Sequence, residues 1–495
     1  MANQTTSDPT QIHNDDSPYT AWHRVVENGL KGKDFNESLV SKTEDGIIRG
    51  PIFSTSDLEN RHLLSVKRTA SRGETALPWQ IYAPVIDPDI NFANTQALRD
   101  LEGGANGLLL HLDPSGHAGV HIETLQNFKD LIDNVYVDLI QISLMAGPYN
   151  WHYAGLCLQI DRLQSTALNL GIDPITLQMS TRLEPPHTSV STDLNDEFSK
   201  AAELLGHIKD RRKNWSLFGI NAASLHNQGA SAVQELAYMA SSLSFYMQFM
   251  SELGLSPTEA AAQIKIYLAS TQDAHLSLVK FRAARLIYRR IMHAYGASEA
   301  KQGQFHALTS NAMMQKIAPW NNLLRLNSAI FGAVCGGADA LTAAPFSAPL
   351  GLPDHSAYRM SRNMQLMMME ESHLAHVDDP AHGSYSHESL THDYAQIAWK
   401  LFQTIEDHGG ITEPKAQKAL LSAILLTRSE REDRDEACIG VNLHPAPDLR
   451  TVDMRKPPVL TPSKAQPIRA THLQELEAQI KAGHRIPPLT DRAEV

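Results

Sequence analysis

The sequence predicts an α/β fold, a (β/α)8 TIM barrel with an N-terminal extension and a C-terminal arm. From about residue 105, short apolar runs alternate with amphipathic helical patterns, which indicates parallel strands joined by crossover helices. Eight such units over roughly 300 residues match the usual size of this barrel. The first run continues into Asp113-Pro114-Ser115-Gly116-His117-Ala118-Gly119. An open doubly wound sheet would normally have GxGxxG there, so the barrel is preferred.

The strands are predicted from seven apolar runs, with an eighth and weaker run near residues 376–378. The seven runs cover residues 107–112, 137–142, 175–179, 217–221, 264–268, 305–308 and 338–342. Helical patterns of apolar residues separate them. These patterns cover residues 149–170, 192–212, 228–253, 272–295, 319–333, 355–374 and 386–408.

The barrel is therefore assigned to residues 105–410. Residues 1–19 are polar and are predicted to be disordered. Residues 20–104 are assigned to the N-terminal arm and extension. Residues 411–495 contain Pro-rich stretches and one amphipathic helix from His472 to Ala482, and are interpreted as a linker-like arm that wraps a partner. A loosely packed tail explains this pattern equally well.

Composition narrows the classes of partner. Asp and Glu (55) outnumber Lys and Arg (43), giving a net charge of −12, and this argues against nucleic acid. No apolar stretch is long enough for a bilayer, and the polar N-terminus does not resemble a secretory signal. The three cysteines, Cys157, Cys335 and Cys438, are far apart and show no CxxC spacing. Such cysteines are typical of reduced thiols, so a cytoplasmic location is predicted.

Four groups of residues, taken in order along the chain, resemble the methylmalonyl-CoA mutase family. The first is Thr43-Glu44-Asp45-Gly46-Ile47, and the second is Lys280-Phe281-Arg282-Ala283-Ala284-Arg285. The third is Thr309-Ser310 with Pro319-Trp320-Asn321-Asn322-Leu323-Leu324-Arg325. The fourth is Arg359-Met360-Ser361-Arg362-Asn363, followed by Glu371-Ser372, Asp379-Pro380 and Gly383-Ser384-Tyr385. The resemblance covers residues 20–445.

This resemblance implies a barrel through which a CoA thioester threads, followed by a separate cobalamin-binding domain. It implies a radical 1,2-shift that starts when the cobalt–carbon bond of adenosylcobalamin breaks. A barrel interior suits such chemistry because it excludes water. In that family, the arm that residues 43–47 resemble contacts the other subunit.

The string that faces the substrate in catalytic members, G-Y-H-x-x-E-x-G-A, is degenerate here. The corresponding stretch is Ala222-Ala223-Ser224-Leu225-His226-Asn227-Gln228-Gly229-Ala230. Ala223 stands at the tyrosine position and Ser224 at the histidine position. His226 lies two residues further on, where a substitute acid is one reading and a loop or partner contact is the preferred one.

The family's R-Q-Y-A-G string has also changed. The matching residues are Trp79-Gln80-Ile81-Tyr82-Ala83. In one alignment Tyr82 is the remnant tyrosine and Gln80 replaces the arginine; in the other, Tyr82 itself takes the arginine's place. Either way the charge and the forked donors of a guanidinium are lost.

The cobalt-ligating string D-x-H-x-x-G has no good match. Asp273-Ala274-His275 lacks the glycine and precedes the second family string, so Asp273 is interpreted as a helix-start residue and His275 as partly buried. His373 and His376, with the acidic residues beside them, are interpreted without a metal. No metal site is predicted, and no cobalamin-binding domain is expected after the barrel.

The sequence thus predicts the non-catalytic small subunit of a heterodimeric adenosylcobalamin-dependent methylmalonyl-CoA mutase. No catalytic residue is assigned, and its own active site is expected to be inactive. The partner is a homologous catalytic large subunit, which would hold the cofactor; this chain alone would bind none. Tyr82, Asp113, Asn221 and His226 are the candidates to face a ligand, and a CoA thioester in a remnant pocket stays open.

Two alternatives remain at this point. The chain could be the substrate-binding half of a split acyl-CoA mutase that works with a separate cobalamin-domain protein. It could also be a regulatory or chaperone protein that acts on a mutase.

Overall fold

The computed structural model describes residues 18–58, 78–184, 193–209, 212–297, 303–434, 436–445 and 451–489. Within these residues, eight parallel strands form the barrel. They are β1 (Gln80–Val85), β2 (Gly107–Asp113), β3 (Gln141–Met145), β4 (Ala167–Ile172), β5 (Trp215–Asn221), β6 (Ile264–Ser270), β7 (Gln304–Thr309) and β8 (Ala340–Thr342). The disorder predicted for residues 1–17 lies outside the described residues, whereas residues 18 and 19 begin a helix.

The barrel is closed, which confirms the predicted fold class. Each strand pairs in parallel with the next, and β8 pairs with β1 through Ala340 opposite Gln80 and Leu341 opposite Ile81. On the other side of β1, Tyr82 lies opposite Gly107 of β2. The strands are buried on both faces, as expected when a parallel sheet is covered by helices.

Helices surround this barrel, and further helices precede its first strand and follow its last strand along the chain. Those before β5 are α1 (Pro18–Gly29), α2 (Phe35–Leu39), α3 (Ile90–Glu102), α4 (Leu125–Leu131), α5 (Asn150–Leu158), α6 (Pro174–Leu183) and α7 (Leu194–Ile208). Those after it are α8 (Ala222–Asn227), α9 (Ala232–Glu252), α10 (Pro257–Ala262), α11 (Ala274–Ala294), α12 (Asn322–Cys335), α13 (His355–Glu370), α14 (Tyr385–Asp407), α15 (Pro414–Glu432) and α16 (Leu473–Lys481). In the described part of the chain, none of these helices combines the length and apolar character that a membrane span requires.

Four of the strand predictions need correction. The first strand is β1, so the barrel begins at Gln80, inside the range assigned to the extension. The predicted strand 175–179 lies in α6, and the true strand β4 lies inside the predicted helix 149–170. The prediction 137–142 overlaps β3 only at its last two residues. The predicted eighth strand is wrong, because Leu374–His376 is a single turn of 3-10 helix.

The misassigned strand at 175–179 has a clear physical explanation. The Asp173 carboxylate accepts a hydrogen bond from the Thr176 amide at 3.1 Å, and Pro174 occupies the first turn. An aspartate cap followed by proline starts a helix, and this local signal outweighs the apolar, partly β-branched run that follows it.

The C-terminal arm returns to its own barrel. Helix α16 lies where the final helix was predicted and packs against α5, with Leu473, Leu476 and Ile480 buried. Further back, the two-residue strand Met454–Arg455 pairs with Leu352–Pro353. Residues 451–489 are therefore a packed part of the molecule, contrary to the loosely packed alternative.

The N-terminal arm also packs on its own chain. Ser41–Lys42 and Ile48–Arg49 form a two-stranded hairpin. Its turn places the Glu44 carboxylate 2.8 Å from the Arg431 guanidinium, while Arg49 lies 2.7 Å from Asp273. The contact with another subunit that the family resemblance implies stays a prediction.

Candidate functional site: a cavity at the barrel mouth and a filled barrel axis

A cavity of about 950 Å³ opens at the C-terminal end of the barrel, beside β2 to β5. This end of a barrel is where binding and catalytic sites of the fold occur. The polar side chains of its lining include His111, Asp113, Glu123, Asn150, Asp173, Thr176, Asn221 and Ser224. Leu460, Pro462, Pro488 and Leu489 of the C-terminal arm form one wall.

Two of the four predicted ligand-facing residues, Asp113 and Asn221, line this cavity. The Asp113 carboxylate accepts hydrogen bonds from the Ser115 amide at 2.8 Å and the Ala118 amide at 2.9 Å, so it orders its own loop. The Asn221 side-chain oxygen caps α8 by accepting from the Ser224 amide at 3.2 Å. Its Nδ2 faces only the Met145 sulfur, at 3.6 Å.

The other two predicted residues, Tyr82 and His226, do not line the cavity. Tyr82 lies inside the barrel with 1% of its surface exposed. His226 is a buried residue of α8, with Nε2 3.0 Å from the Ser310 hydroxyl and Nδ1 3.8 Å from the Glu235 carboxylate. Burial, and then the nearby Lys280 charge, hold the pKa of His226 well below its usual value. His226 lies two residues after Ser224 on α8, and a helix turns about 200° over two residues, so the two side chains point in different directions.

The degenerate positions are spread over both ends of the barrel. Gln80 lies at the start of β1, opposite to the cavity, and its side-chain oxygen accepts from the Asn106 amide at 2.5 Å. Ala223 is fully buried in α8. Only Ser224 lines the cavity, where its hydroxyl lies 3.0 Å from the Ser180 hydroxyl.

The barrel axis is filled by a hydrogen-bonded cluster. The Lys265 ammonium donates to the Tyr82 hydroxyl at 2.7 Å and to the Ser143 hydroxyl at 3.0 Å. The His306 ring lies 4.5 Å from the Tyr82 ring and 5.1 Å from the Tyr267 ring, measured between centroids. All of these side chains are buried. They occupy the space through which a threaded ligand would pass.

Lys265 and His306 are members of this cluster that the sequence analysis did not predict, and Lys265 carries the stronger sequence signal. Burial lowers the pKa of Lys265 to about 7, and the Asp339 charge opposes that shift only in part. Its hydrogen-bond partners, Tyr82 and Ser143, are uncharged. The available signal was a lysine inside the apolar run Ile264-Lys265-Ile266-Tyr267-Leu268. A charged residue within a strand buried on both faces must point into the barrel or into its helical shell.

The second family string forms a row of buried ion pairs along α11. Lys280 lies 2.5 Å from Glu235, and Arg285 lies 2.8 Å from Asp339. Arg282 contacts Asp379 and lies 2.8 Å from Glu388, so it joins the second string to the fourth. These charged residues are paired with one another inside the protein, which indicates a scaffold role.

Asp273 and His275 do not fit the role of a cobalt-binding string. The Asp273 carboxylate caps α11 by accepting from the Leu276 amide at 2.8 Å, as the sequence predicted, and it also pairs with Arg49. His275 Nδ1 lies 2.9 Å from His387 Nε2, so the ring is already hydrogen-bonded. Across the described ranges, no three His, Cys, Asp or Glu side chains converge as metal ligands would.

The comparison with known families agrees with three of the four strings quoted above, those that follow residue 111. The family described as methylmalonyl-CoA mutase matches residues 111–493. This chain belongs to the methylmalonyl-CoA mutase family. The match spans the barrel from β2 onward and most of the C-terminal arm.

Among individual relatives, the chain is similar to proteins named as small subunits. It is 31% identical to the methylmalonyl-CoA mutase small subunit of Streptomyces virginiae, over 93% of this chain and 76% of that protein. It is 31% identical to the small subunit of Propionibacterium freudenreichii subsp. shermanii, over 83% of this chain and 66% of that protein. The methylmalonyl-CoA mutase of Rhizobium meliloti is 26% identical over 88% of this chain and 65% of its own length.

Proposed function

We propose that this chain is the non-catalytic small subunit of a heterodimeric, adenosylcobalamin-dependent methylmalonyl-CoA mutase. A homologous large subunit would interconvert methylmalonyl-CoA and succinyl-CoA, and this chain would stabilise it. Family membership and the names of the Streptomyces and Propionibacterium relatives support this role. The cytoplasm is the proposed compartment, in keeping with three cysteines that form no disulfide.

The filled barrel axis is the observation that carries the proposal. Tyr82, Lys265 and His306 meet at the centre of the barrel and are hydrogen-bonded there. A CoA thioester threaded along the axis would have to displace a buried cluster of hydrogen-bonded side chains, whose polar groups would then lose those partners. The interior therefore supports a packed scaffold rather than a reaction chamber.

The cofactor is proposed to be held mainly by the partner. Asp273 and His275, the nearest approach to a cobalt-binding string, are engaged with Arg49 and His387 in this chain. The substrate is assigned to the partner for a related reason. The described residues that line the cavity include no Lys or Arg to pair with the phosphates of a CoA thioester, so a remnant CoA pocket is not favoured.

The test is reconstitution of the two-subunit enzyme. The chain is purified alone and together with a homologous large subunit, and each sample receives adenosylcobalamin and methylmalonyl-CoA. We expect a one-to-one complex by light scattering and succinyl-CoA only when the large subunit is present. Turnover by this chain alone would refute the proposal, and so would the absence of a stable complex.

The same assay tests the split-mutase alternative. Here a cobalamin-domain protein without a barrel replaces the large subunit. We expect no succinyl-CoA, because Ala223 and Ser224 stand where a tyrosine and a histidine face the substrate in catalytic members. Turnover with this small protein would favour the alternative. A complex that dissociates during purification would instead favour a regulatory or chaperone protein.

A further inference from the structure

The cavity at the barrel mouth has the size and composition of a small-molecule site. Its volume of about 950 Å³ falls in the range that accommodates a drug-sized ligand, roughly 300–1,000 Å³. Apolar side chains such as Leu144, Met145, Leu177 and Leu460 make up much of its lining. A few polar groups among apolar walls is the usual pattern of such sites.

The charge of the lining selects against anions. Asp113, Glu123 and Asp173 line the cavity, and the described lining residues include no Lys or Arg. Glu123 is paired with Arg485 at 3.3 Å. Asp113 and Asp173 accept hydrogen bonds only from uncharged groups among the described residues, so no cation pairs with either carboxyl group. Burial raises the pKa of Asp173. An anionic ligand would meet repulsion here, and burial would strengthen that repulsion.

Two polar side chains of the lining are still available for a ligand. Burial lowers the pKa of His111 to about 4, with no hydrogen bond or charged neighbour contributing, so the ring is neutral at physiological pH. Among the described residues nothing hydrogen-bonds this ring, although it faces the cavity. The Asn221 Nδ2, unlike its side-chain oxygen, makes only the weak contact with the Met145 sulfur among the described residues. His111 and Asn221 are only partly buried, so the His111 ring and the Asn221 Nδ2 remain accessible from the cavity to a ligand that supplies a hydrogen-bond partner.

We propose that this cavity binds one uncharged organic molecule with an apolar body and a hydrogen-bonding group that reaches His111 and Asn221. The site goes beyond the proposed subunit role and does not depend on it. The C-terminal arm completes the site, because the Leu489 amide donates to the Tyr149 hydroxyl at 2.9 Å and the Ser463 amide donates to Glu123 at 2.6 Å.

The test uses two dyes that share one skeleton and differ in charge. N-phenyl-1-naphthylamine is uncharged, and 8-anilinonaphthalene-1-sulfonate carries a sulfonate on the same anilinonaphthalene frame. Each is titrated by fluorescence against the full chain at pH 8, above the ordinary range of histidine protonation. We expect one saturable site for the uncharged dye and binding of the sulfonate about ten-fold weaker or worse, since a nearby carboxylate repels it. Equal binding of the two dyes would overturn the proposal.

Substitutions at Leu177 locate the binding. Leu177→Trp fills the cavity and is expected to weaken the uncharged dye by about ten-fold or more. Leu177→Lys places a cation there and is expected to shift the preference between the dyes about ten-fold toward the sulfonate. Leu324→Trp is the control, because Leu324 is 70% exposed on α12, outside the lining.

The pair of Leu177 variants keeps the test decisive. Each variant is checked by circular dichroism, and if Leu177→Trp does not fold, the change in preference of Leu177→Lys decides alone. His111→Leu is expected to weaken the uncharged dye about three- to ten-fold, the usual effect of losing one hydrogen bond. Dye binding that is the same in both Leu177 variants and in Leu324→Trp would place the dye on the surface and refute the site.

Discussion

Arg282 is a buried cation that two carboxylates share. It is fully buried on α11, where its guanidinium contacts Asp379 and lies 2.8 Å from Glu388, which is equally buried. Removing one partner of a buried pair costs more than the pair itself contributes, because the other charge is left without a counterion. The side chain is therefore essential to this part of the shell.

Replacing Arg282 by methionine should lower the free energy of unfolding by about 3–5 kcal/mol. Methionine keeps much of the volume of arginine but deprives the buried Glu388 carboxylate of its guanidinium partner. The measurement is urea denaturation of the purified chain. Arg290→Met is the control, since Arg290 is exposed on the same helix and stacks on Trp399, a contact worth about 1 kcal/mol. Equal losses in the two variants would contradict the prediction.

Buried neutral histidines should make the protein sensitive to mild acid. Burial, and then the charge of Lys265, hold the pKa of His306 well below the value of about 6.5 expected in the unfolded chain. Below pH 6.5, His306 therefore binds a proton in the unfolded state but stays neutral in the folded state. Stability is fully present above pH 6.5 and falls as the pH drops below it, by up to about 1.4 kcal/mol per pH unit for each such histidine.

The variant His306→Gln should flatten this loss. Glutamine keeps a group able to bond the Thr342 hydroxyl, which lies 2.8 Å from His306 Nε2, but it does not titrate. Urea denaturation at pH 7 and at pH 5 should show a smaller drop than in the unchanged protein. His293→Gln is the control, because His293 is exposed. A drop of the same size in all three proteins would show that His306 plays no part.

At the scale of elements, the N-terminal hairpin caps helix α9. The Asp45 carboxylate accepts a hydrogen bond from Ser231, the N-cap residue of that helix, and a longer one from the Val233 amide at 3.4 Å. Burial raises the pKa of Asp45 to about 6. Because this value is still below 7, the carboxylate is mostly charged at neutral pH. A negative charge at a helix N-terminus is favourable, and it ties the hairpin to the barrel shell.

The substitution Asp45→Ala should loosen the hairpin without unfolding the barrel. A charge-assisted cap contributes about 1–2 kcal/mol, so hydrogen exchange of residues 41–49 should become roughly ten-fold faster. Exchange in β5 and β6 should stay unchanged. Glu37→Ala provides the comparison, since Glu37 is exposed on α2 in the same arm. Unchanged exchange in the hairpin would mean that other contacts, such as Glu44 with Arg431, hold it.

Some elements could be predicted from the sequence and others could not. Strands β5 and β6 were predicted because their apolar runs contain no proline and no helix-capping residue followed by proline. Strand β1 was missed because Pro84 lies within it, and proline normally argues against a strand. Helix α15 was missed because exposed leucines such as Leu425 and Leu426 blur its apolar face.

At the scale of the whole molecule, the C-terminal arm contacts the barrel and its helices at several points. The Arg455 guanidinium lies 2.9 Å from Asp87 and stacks over the Phe92 ring. Leu476 is fully buried against α5, where a Cβ added at Gly155 would lie 2.5 Å from its methyl carbon. Close approach of this kind is possible because glycine has no side chain.

The substitution Leu476→Ala should therefore cost about 2–5 kcal/mol, as for other buried leucines. Urea denaturation gives the total, and hydrogen exchange of α16 shows whether the loss is local or global. Leu324→Ala, at an exposed leucine, should change the free energy of unfolding by about 0.5 kcal/mol or less. If Leu476→Ala lowered the free energy of unfolding no more than Leu324→Ala does, the contact of Leu476 would not stabilise the arm.

The site was foreseen only in part, and distance along the chain explains why. Asp113 and Asn221 were predicted because they end strands, and strand ends of a barrel meet at its mouth. The wall formed by Leu460 and Leu489 was not predicted, since nothing local shows where a Pro-rich arm folds back. Lys265 and His306 were not singled out either, because their meeting inside the barrel depends on register between strands.

The sharing of Arg282 has an evolutionary consequence. Loss of the arginine alone would leave two carboxylates in the protein interior without this cation. Loss of the two acids alone would leave the arginine without these counterions. Positions 282, 379 and 388 are thus expected to vary together across lineages, with apolar trios as the viable substitute for the charged one.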